Sequence, residues 1–123
     1  MTNTAAAIAE SFSRHRFAQT FPHLADDVRW VAVGQTTMQG KAAVVDACKA
    51  ATAEMADLTV EFTRFVSIVG PDGAAVDVVA RYVGADGQVS VVSSCDIYEF
   101  ADGKLAAITS YAVELPRSDH VPQ

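Results

Sequence analysis

The chain has 123 residues, a formal net charge of −6 and a sequence pI of about 4.8, with half of its residues apolar. That length fits one domain with one core, and the apolar share is enough to fill it. Basic residues are few and scattered, so the sequence carries no electrostatic footprint for nucleic acid and none for an anionic membrane. Small neutral or apolar partners remain.

The opening segment "MTNTAAAIAESFSRHRF" lacks a basic start followed by an unbroken apolar run, so it does not read as a signal peptide. No apolar run reaches the roughly 18 residues needed to span a bilayer. Cys48 and Cys95 stand far apart, which fits reduced core thiols in a cytoplasmic protein better than a disulfide scaffold. Cytoplasmic localisation is the expectation.

Residues 4–15 place Ile8 and Phe12 one helical turn apart and predict a first helix. A second, shorter helix is expected over about 17–25, with Phe17, Phe21 and Leu24 on one side and Pro22 limiting its length. "DDVRWVAV" then changes to a period of two, the pattern of a strand. "GQTTMQG" (34–40) reads as a polar loop bounded by glycines. The alanine-rich segment from Lys41 has neither Gly nor Pro and predicts the longest helix, with Val44, Cys48, Ala51 and Met55 on its core-facing stripe.

From Leu58 four strand-like segments follow, separated by "GPDG", "GADG" and "ADG". Asp-Gly is the strongest short hairpin signal, and it occurs at Asp72-Gly73, Asp86-Gly87 and Asp102-Gly103. The order predicts an α+β fold with helices on one face of an antiparallel meander. One domain over 1–115 and a frayed polar tail over 116–123 are expected. In the third of these strands, residues 89–100, one face carries Val89, Val91, Cys95 and Ile97 and the other Val92, Asp96, Tyr98 and Phe100. Neither face is cleanly polar, so helices are expected on one and a second copy of the chain on the other, as a homodimer through the sheet.

"HLADDVRW" (23–30), "QGKAAV" (39–44) and "DIYEFADGKLAAITSY" (96–111), in this order of elements, resemble the nuclear transport factor 2-like superfamily. That group includes ketosteroid isomerases, SnoaL-like polyketide cyclases, limonene epoxide hydrolases and scytalone dehydratases. The resemblance implies a cone: a curved, mostly antiparallel sheet wrapped around one long and two shorter helices, with an apolar pocket open at one end. It places Asp96 on the inner face, in phase with Val92, Ser94, Tyr98 and Phe100, and Trp30, Val28 and Ala32 on the opposite wall. It also implies work without a cofactor. The match to ketosteroid isomerase is partial. Asp96 falls on that family's oxyanion-hole aspartate, but its general base falls near Ala32 and its oxyanion tyrosine near Phe12, and neither residue can do that chemistry. The acid sets of the epoxide hydrolases and the inward histidines of scytalone dehydratase are not matched either.

Asp96 is therefore the candidate catalytic residue. Burial among aromatic side chains disfavours a charged carboxylate; a neutral one can donate a hydrogen bond, a role for which ketosteroid isomerase is the worked case, and a partly raised one can act as general acid or base. The expected function is a cofactor-independent isomerisation, cyclisation, dehydration or hydrolysis, and the alternative is a non-catalytic ligand-binding or accessory dimer with the same fold. Trp30, Tyr98, Phe12, Phe17, Val92, Phe100, Tyr111 and Met55 are the candidate substrate-binding residues, for a compact and mostly apolar molecule. Phe12, Phe17 and Trp30 are large enough to plug the cone instead. His15, His23 and His120 show no metal-ligand spacing, so no metal is expected. Asp77 and Arg81, four apart on one strand, read as an ion pair at the surface or an interface.

Overall fold

In the computed structural model, which describes residues 4–116, six strands form a single sheet that is not closed, with the helices packed in its concavity. Helix α1 (Ala5–Ser13) starts at Thr4, whose hydroxyl accepts from the Ala7 amide at 3.1 Å. Its end is a Schellman motif. The His15 amide donates to the Phe12 carbonyl and the Arg16 amide to the Ser11 carbonyl, with His15 itself at φ 65°.

The second helix is a 3-10 helix over Phe17–His23, not an α-helix. Pro22 has no amide hydrogen for an α-helical ladder, and the tighter winding suits a short piece. Strand β1 (Leu24–Ala32) follows directly. The segment expected to be a polar loop contains a further strand, β2 (Thr36–Gln39), hairpinned to β1 through a turn with Gly34 at φ 80°. Met38 on β2 packs against the core. Helix α2 (Lys41–Glu54) buries Val44 and Cys48 and packs Ala51 and Met55 against the same core, the stripe its periodicity predicts.

Strands β3 (Thr59–Val69), β4 (Gly73–Val83), β5 (Val89–Ala101) and β6 (Lys104–Glu114) form the antiparallel meander. β1 joins its β6 edge in parallel, giving the order β2-β1-β6-β5-β4-β3. Register shifts in β1, in β3 at Phe62/Arg64 and in β5–β6 at Glu99/Phe100 interrupt the ladders. Such bulges bend strands and increase their twist, which suits a sheet that wraps round helices. The inner face buries Val76, Val78, Tyr98, Leu105 and Ile108 against Ile8, Phe12, Val44 and Cys48.

The ion pair on β4 differs from its expected partners. Asp77 Oδ2 accepts from Arg64 Nε on β3 at 2.8 Å, rather than pairing with Arg81. Residues four apart on a strand are separated by about 13 Å, whereas neighbouring strands lie about 5 Å apart, so the cross-strand partner wins. Cys95 is half-buried on the outer face rather than in the core, while Cys48 is fully buried; both are free thiols. His120 and all but the first residue of the expected tail lie outside the described residues.

Candidate functional site

Four strand positions and the end of α1 build the site. Strand alternation turns Ser94, Asp96 and Tyr98 of β5 inward, and their partners on β6 are Ala112, Ser110 and Ile108. Helix α1 lays Ser13, only 4% exposed, over the same spot. The Ser13 hydroxyl reaches Asp96 Oδ2 at 2.8 Å, and the Ser110 hydroxyl reaches Oδ1 at 2.6 Å. Tyr98 OH lies 2.6 Å from Ser13 Oγ and 3.3 Å from Asp96 Oδ2.

Hydrogen-bond direction can be followed from a fixed end. Trp30 Nε1 can only donate, and it donates to Ser110 Oγ at 2.9 Å. The Ser110 hydrogen is then directed to Asp96 Oδ1, so this oxygen is an acceptor. On the other side Tyr98 and Ser13 supply two hydroxyl hydrogens around Oδ2. This is how a carboxylate is held, with donors aimed at both oxygens. Of the two roles expected for Asp96, acid–base group and hydrogen-bond donor, the Trp30–Ser110 relay bears on Oδ1 alone and makes it an acceptor. Among the described residues Oδ2 receives Ser13 and Tyr98 while Oδ1 receives Ser110 alone, so Oδ1 keeps a lone pair without a partner among them.

Asp96 stands at the wall of a cavity of about 240 Å³, enclosed by Phe12, Phe17, Trp30, Met55, Val78 and Val92, with Ser13, Ser94, Ser110, His15 and Tyr82 as its other polar borders. The aromatic rings brace one another: Phe12 meets Phe17, Trp30 and Tyr98 edge to face at 4.9, 5.1 and 5.8 Å. Phe12, Phe17 and Trp30, candidate substrate-binding residues also large enough to plug the cone, border the cavity.

The sequence-predicted residues divide. Asp96, Trp30, Phe12, Phe17, Met55 and Val92 meet at the cavity. Tyr98 is fully buried behind Asp96, its hydroxyl engaged by Ser13 and the carboxylate, and it does not reach the open space. Burial, with the Asp96 charge adding to it, pushes its phenol well above the usual tyrosine range, so it stays a donor. Phe100 packs against the core without lining the cavity, and Val28 is wholly core. Tyr111 sits opposite Cys95, so alternation points its side chain to the outer face, where it is 48% exposed. It lies between Ser110 and Ala112, and all three border the cavity.

Sequence reading passed over Ser13 and Tyr82, gave Ser110 no role and considered His15 as a metal ligand, which its spacing does not support. His15 stacks near Phe17, Phe62 and Tyr82, and its Nε2 lies 3.5 Å from Tyr82 OH. Burial lowers its imidazole below the usual histidine value, against an opposing pull from the Asp96 charge. The Cys48 thiol, pushed up to about 12 by burial, is inert at neutral pH. Among the described residues no group of three or more His, Cys, Asp or Glu side chains converges to hold a metal ion.

A model of the SnoaL-like domain matches residues 5–108. The chain belongs to the SnoaL-like family. Its cone is similar to that of a nuclear transport factor 2-like protein of unknown function from Cytophaga hutchinsonii, at 30% identity and a TM-score of 0.77, over 88% of this chain and 95% of that one. A provisional polyketide cyclase from Xanthomonas campestris pv. campestris shares the fold at 19% identity, with a TM-score of 0.68 over 86% and 84% of the two chains. An LEH-like epoxide hydrolase from M. tuberculosis does so at 14% identity, with a TM-score of 0.63 over 89% and 81%. No curated protein matches the sequence. The SnoaL-like cone is therefore established here, and the reaction must be argued from the residues at its cavity. Among the described residues no helix of this SnoaL-like protein is long and apolar enough to cross a membrane.

Proposed function

We propose that this SnoaL-like protein binds a compact, mostly apolar metabolite and catalyses a cofactor-independent proton transfer on it, with Asp96 as the acid–base group. One observation carries the reading: a carboxylate fixed by three hydroxyls stands at the wall of an otherwise aromatic and aliphatic cavity. Asp96 Oδ1 takes a proton from an acidified C–H, and the electron pair of that bond moves into the substrate as an enolate. The carboxylic acid so formed returns the proton to another carbon, which isomerises the substrate. Alternatively, the enolate carbon attacks an internal carbonyl, whose C=O π bond breaks as the C–C bond forms, and the resulting alkoxide takes the proton back from the Asp96 carboxylic acid, which cyclises the substrate. Ser13, Ser110 and Tyr98 hold the carboxyl group in place through both halves. The fold neighbours include a provisional polyketide cyclase and an epoxide hydrolase, which is consistent with this range of chemistry.

Hydrogen–deuterium exchange tests this without the natural substrate. 2-Indanone is compact, apolar and carries acidified C–H bonds. Native protein in D2O is expected to accelerate its exchange, followed by NMR, and Asp96→Asn to lower the rate by about a hundredfold or more, the range of general acid–base catalysis. Exchange that survives in Asp96→Asn removes Asp96 from the mechanism. Binding with no exchange in native protein leaves a non-catalytic ligand-binding protein, the reading favoured by the lack of a second acid at Ala32.

The outer face supplies the other half of the reading: a second copy of the chain covers it. Ile68 is 71% and Val113 63% exposed there, with Val66, Ile97 and Tyr111 on the same face. A contiguous apolar sheet face of this kind marks an interaction surface.

A further inference from the structure

We propose that His15, paired with Tyr82, forms a second polar arm of the cavity that donates one hydrogen bond to an uncharged ligand oxygen lying between it and Asp96. The inference rests on the cavity being the ligand site and names the ligand's chemistry.

Backbone geometry comes first. His15 occupies the left-handed position that closes α1, φ 65°, in a motif where glycine is the usual residue because it has no Cβ to strain. A residue with a Cβ is strained there relative to glycine. An outlier of this kind points toward function when its side chain reaches a site, and the imidazole borders the cavity.

Hydrogen counting comes second. Tyr82 carries one O–H and a neutral imidazole one N–H, and the two side chains share a single contact at 3.5 Å. If tyrosine donates to Nε2, the other ring nitrogen keeps its hydrogen. If Nε2 donates, the tyrosine hydroxyl keeps its own. Either tautomer leaves one donor without an acceptor among the described residues, and both residues border the cavity. By contrast, the hydrogens of Trp30, Ser110, Ser13 and Tyr98 are directed into the Asp96 network.

The cavity thus has an acceptor pole at Asp96 and a donor pole at His15–Tyr82, with rings between them. Charge narrows the choice further. Among the described residues no Lys or Arg borders the cavity, and the nearby Arg14 guanidinium lies 3.8 Å over the Phe65 ring. A carboxylate or phosphate would meet Asp96 with nothing to balance it. The fitting ligand is neutral, with a carbonyl or hydroxyl oxygen at the His15 end and an acidified C–H or O–H at the Asp96 end.

Trp30, the chain's single tryptophan, borders the cavity and reports occupancy by fluorescence. 2-Indanone and indane, which differ by the carbonyl, are titrated into native protein, His15→Gly and His15→Asn. Glycine relieves the left-handed strain and removes the donor. Asparagine tolerates the conformation and keeps an N–H. The 2-indanone-to-indane affinity ratio is expected to fall about fivefold in His15→Gly, the size of one net hydrogen bond, and to recover in His15→Asn. Taking the ratio cancels the packing lost with the ring. The carbonyl carbon resonance of bound, labelled 2-indanone should lie downfield of its position in His15→Gly. An unchanged ratio and resonance in His15→Gly overturn the proposal, as does indane-2-carboxylate binding native protein as tightly as 2-indanone at neutral pH. Indane binding reports on the cavity alone. If indane also fails to bind, the reading of the cavity as a ligand site falls with it.

Discussion

His15 places a titratable ring where burial and the Asp96 charge oppose each other, and burial dominates. The groups facing it are Tyr82 from β4 and Asp96 from β5, with the uncharged rings of Phe17 and Phe62 completing its surroundings. In the unfolded chain His15 protonates near pH 6.5, and in the folded chain only at lower pH. Below 6.5 the unfolded state therefore binds more protons, and stability falls as pH drops toward the folded value. Urea midpoints between pH 8 and 5 are expected to decline on the acid side in native protein and to decline less in His15→Asn. Parallel curves for the two would show that His15 titrates alike in both states. At this scale the sequence was legible for wall residues. Phe12 and Met55 follow from helical periodicity, because apolar side chains seek the interior wherever they fall, while the inward side of Trp30 and Val92 was implied by the family resemblance. Ser13 and Ser110 were not legible. A serine acquires its task only from its partner, and Asp96 lies 83 residues from one and 14 from the other.

Asp-Gly recurs three times in the meander, and each element uses it differently. Asp102 and Gly103, both at positive φ, form the two-residue turn between β5 and β6. Gly87 takes a left-handed conformation inside a longer connection between β4 and β5. Gly73 is no turn glycine. It is the first residue of β4, and a Cβ there would meet the Tyr98 carbonyl oxygen at 2.6 Å. That atom is main chain and cannot swing aside. Gly73→Ala must part the start of β4 from β5, at an expected cost of about 1–3 kcal/mol. Since Tyr98 supports Asp96, the emission of Trp30 and the exchange rate of 2-indanone should shift as well. Gly103→Ala is strained by its φ alone, with nothing within 4 Å of the new carbon, and is expected to cost about 1 kcal/mol while leaving the cavity intact. Equal losses of cavity function in the two variants would show that contact at Gly73 does not set the Tyr98 position. The four long strands and α2 were readable from their periods and hairpin signals. β2 was not, because four largely polar residues between glycines look the same in a loop and in an edge hairpin.

At the scale of the molecule, the two faces of one sheet are assigned opposite tasks. The inner face, covered by helices, holds the cavity. The outer face shows Val66, Ile68, Ile97, Tyr111 and Val113 around the Arg64–Asp77 pair. Arg81, Glu61 and Glu99 share that face by strand alternation, so it mixes apolar side chains with charges of both signs, a surface that would suit its own copy turned through a two-fold axis. Val113, partnered with Ser93 and 63% exposed, is the place to test it. Val113→Lys sets two like charges near each other across a two-fold contact and desolvates both, which is expected to weaken self-association tenfold or more in sedimentation at micromolar protein. Because Val113 lies on the face turned from the cavity, the variant should still bind 2-indanone. Native protein that sediments only as a monomer removes the dimer. A monomeric Val113→Lys that also loses 2-indanone binding would mean that the second copy supports the cavity through the sheet, and not merely that it covers an apolar face.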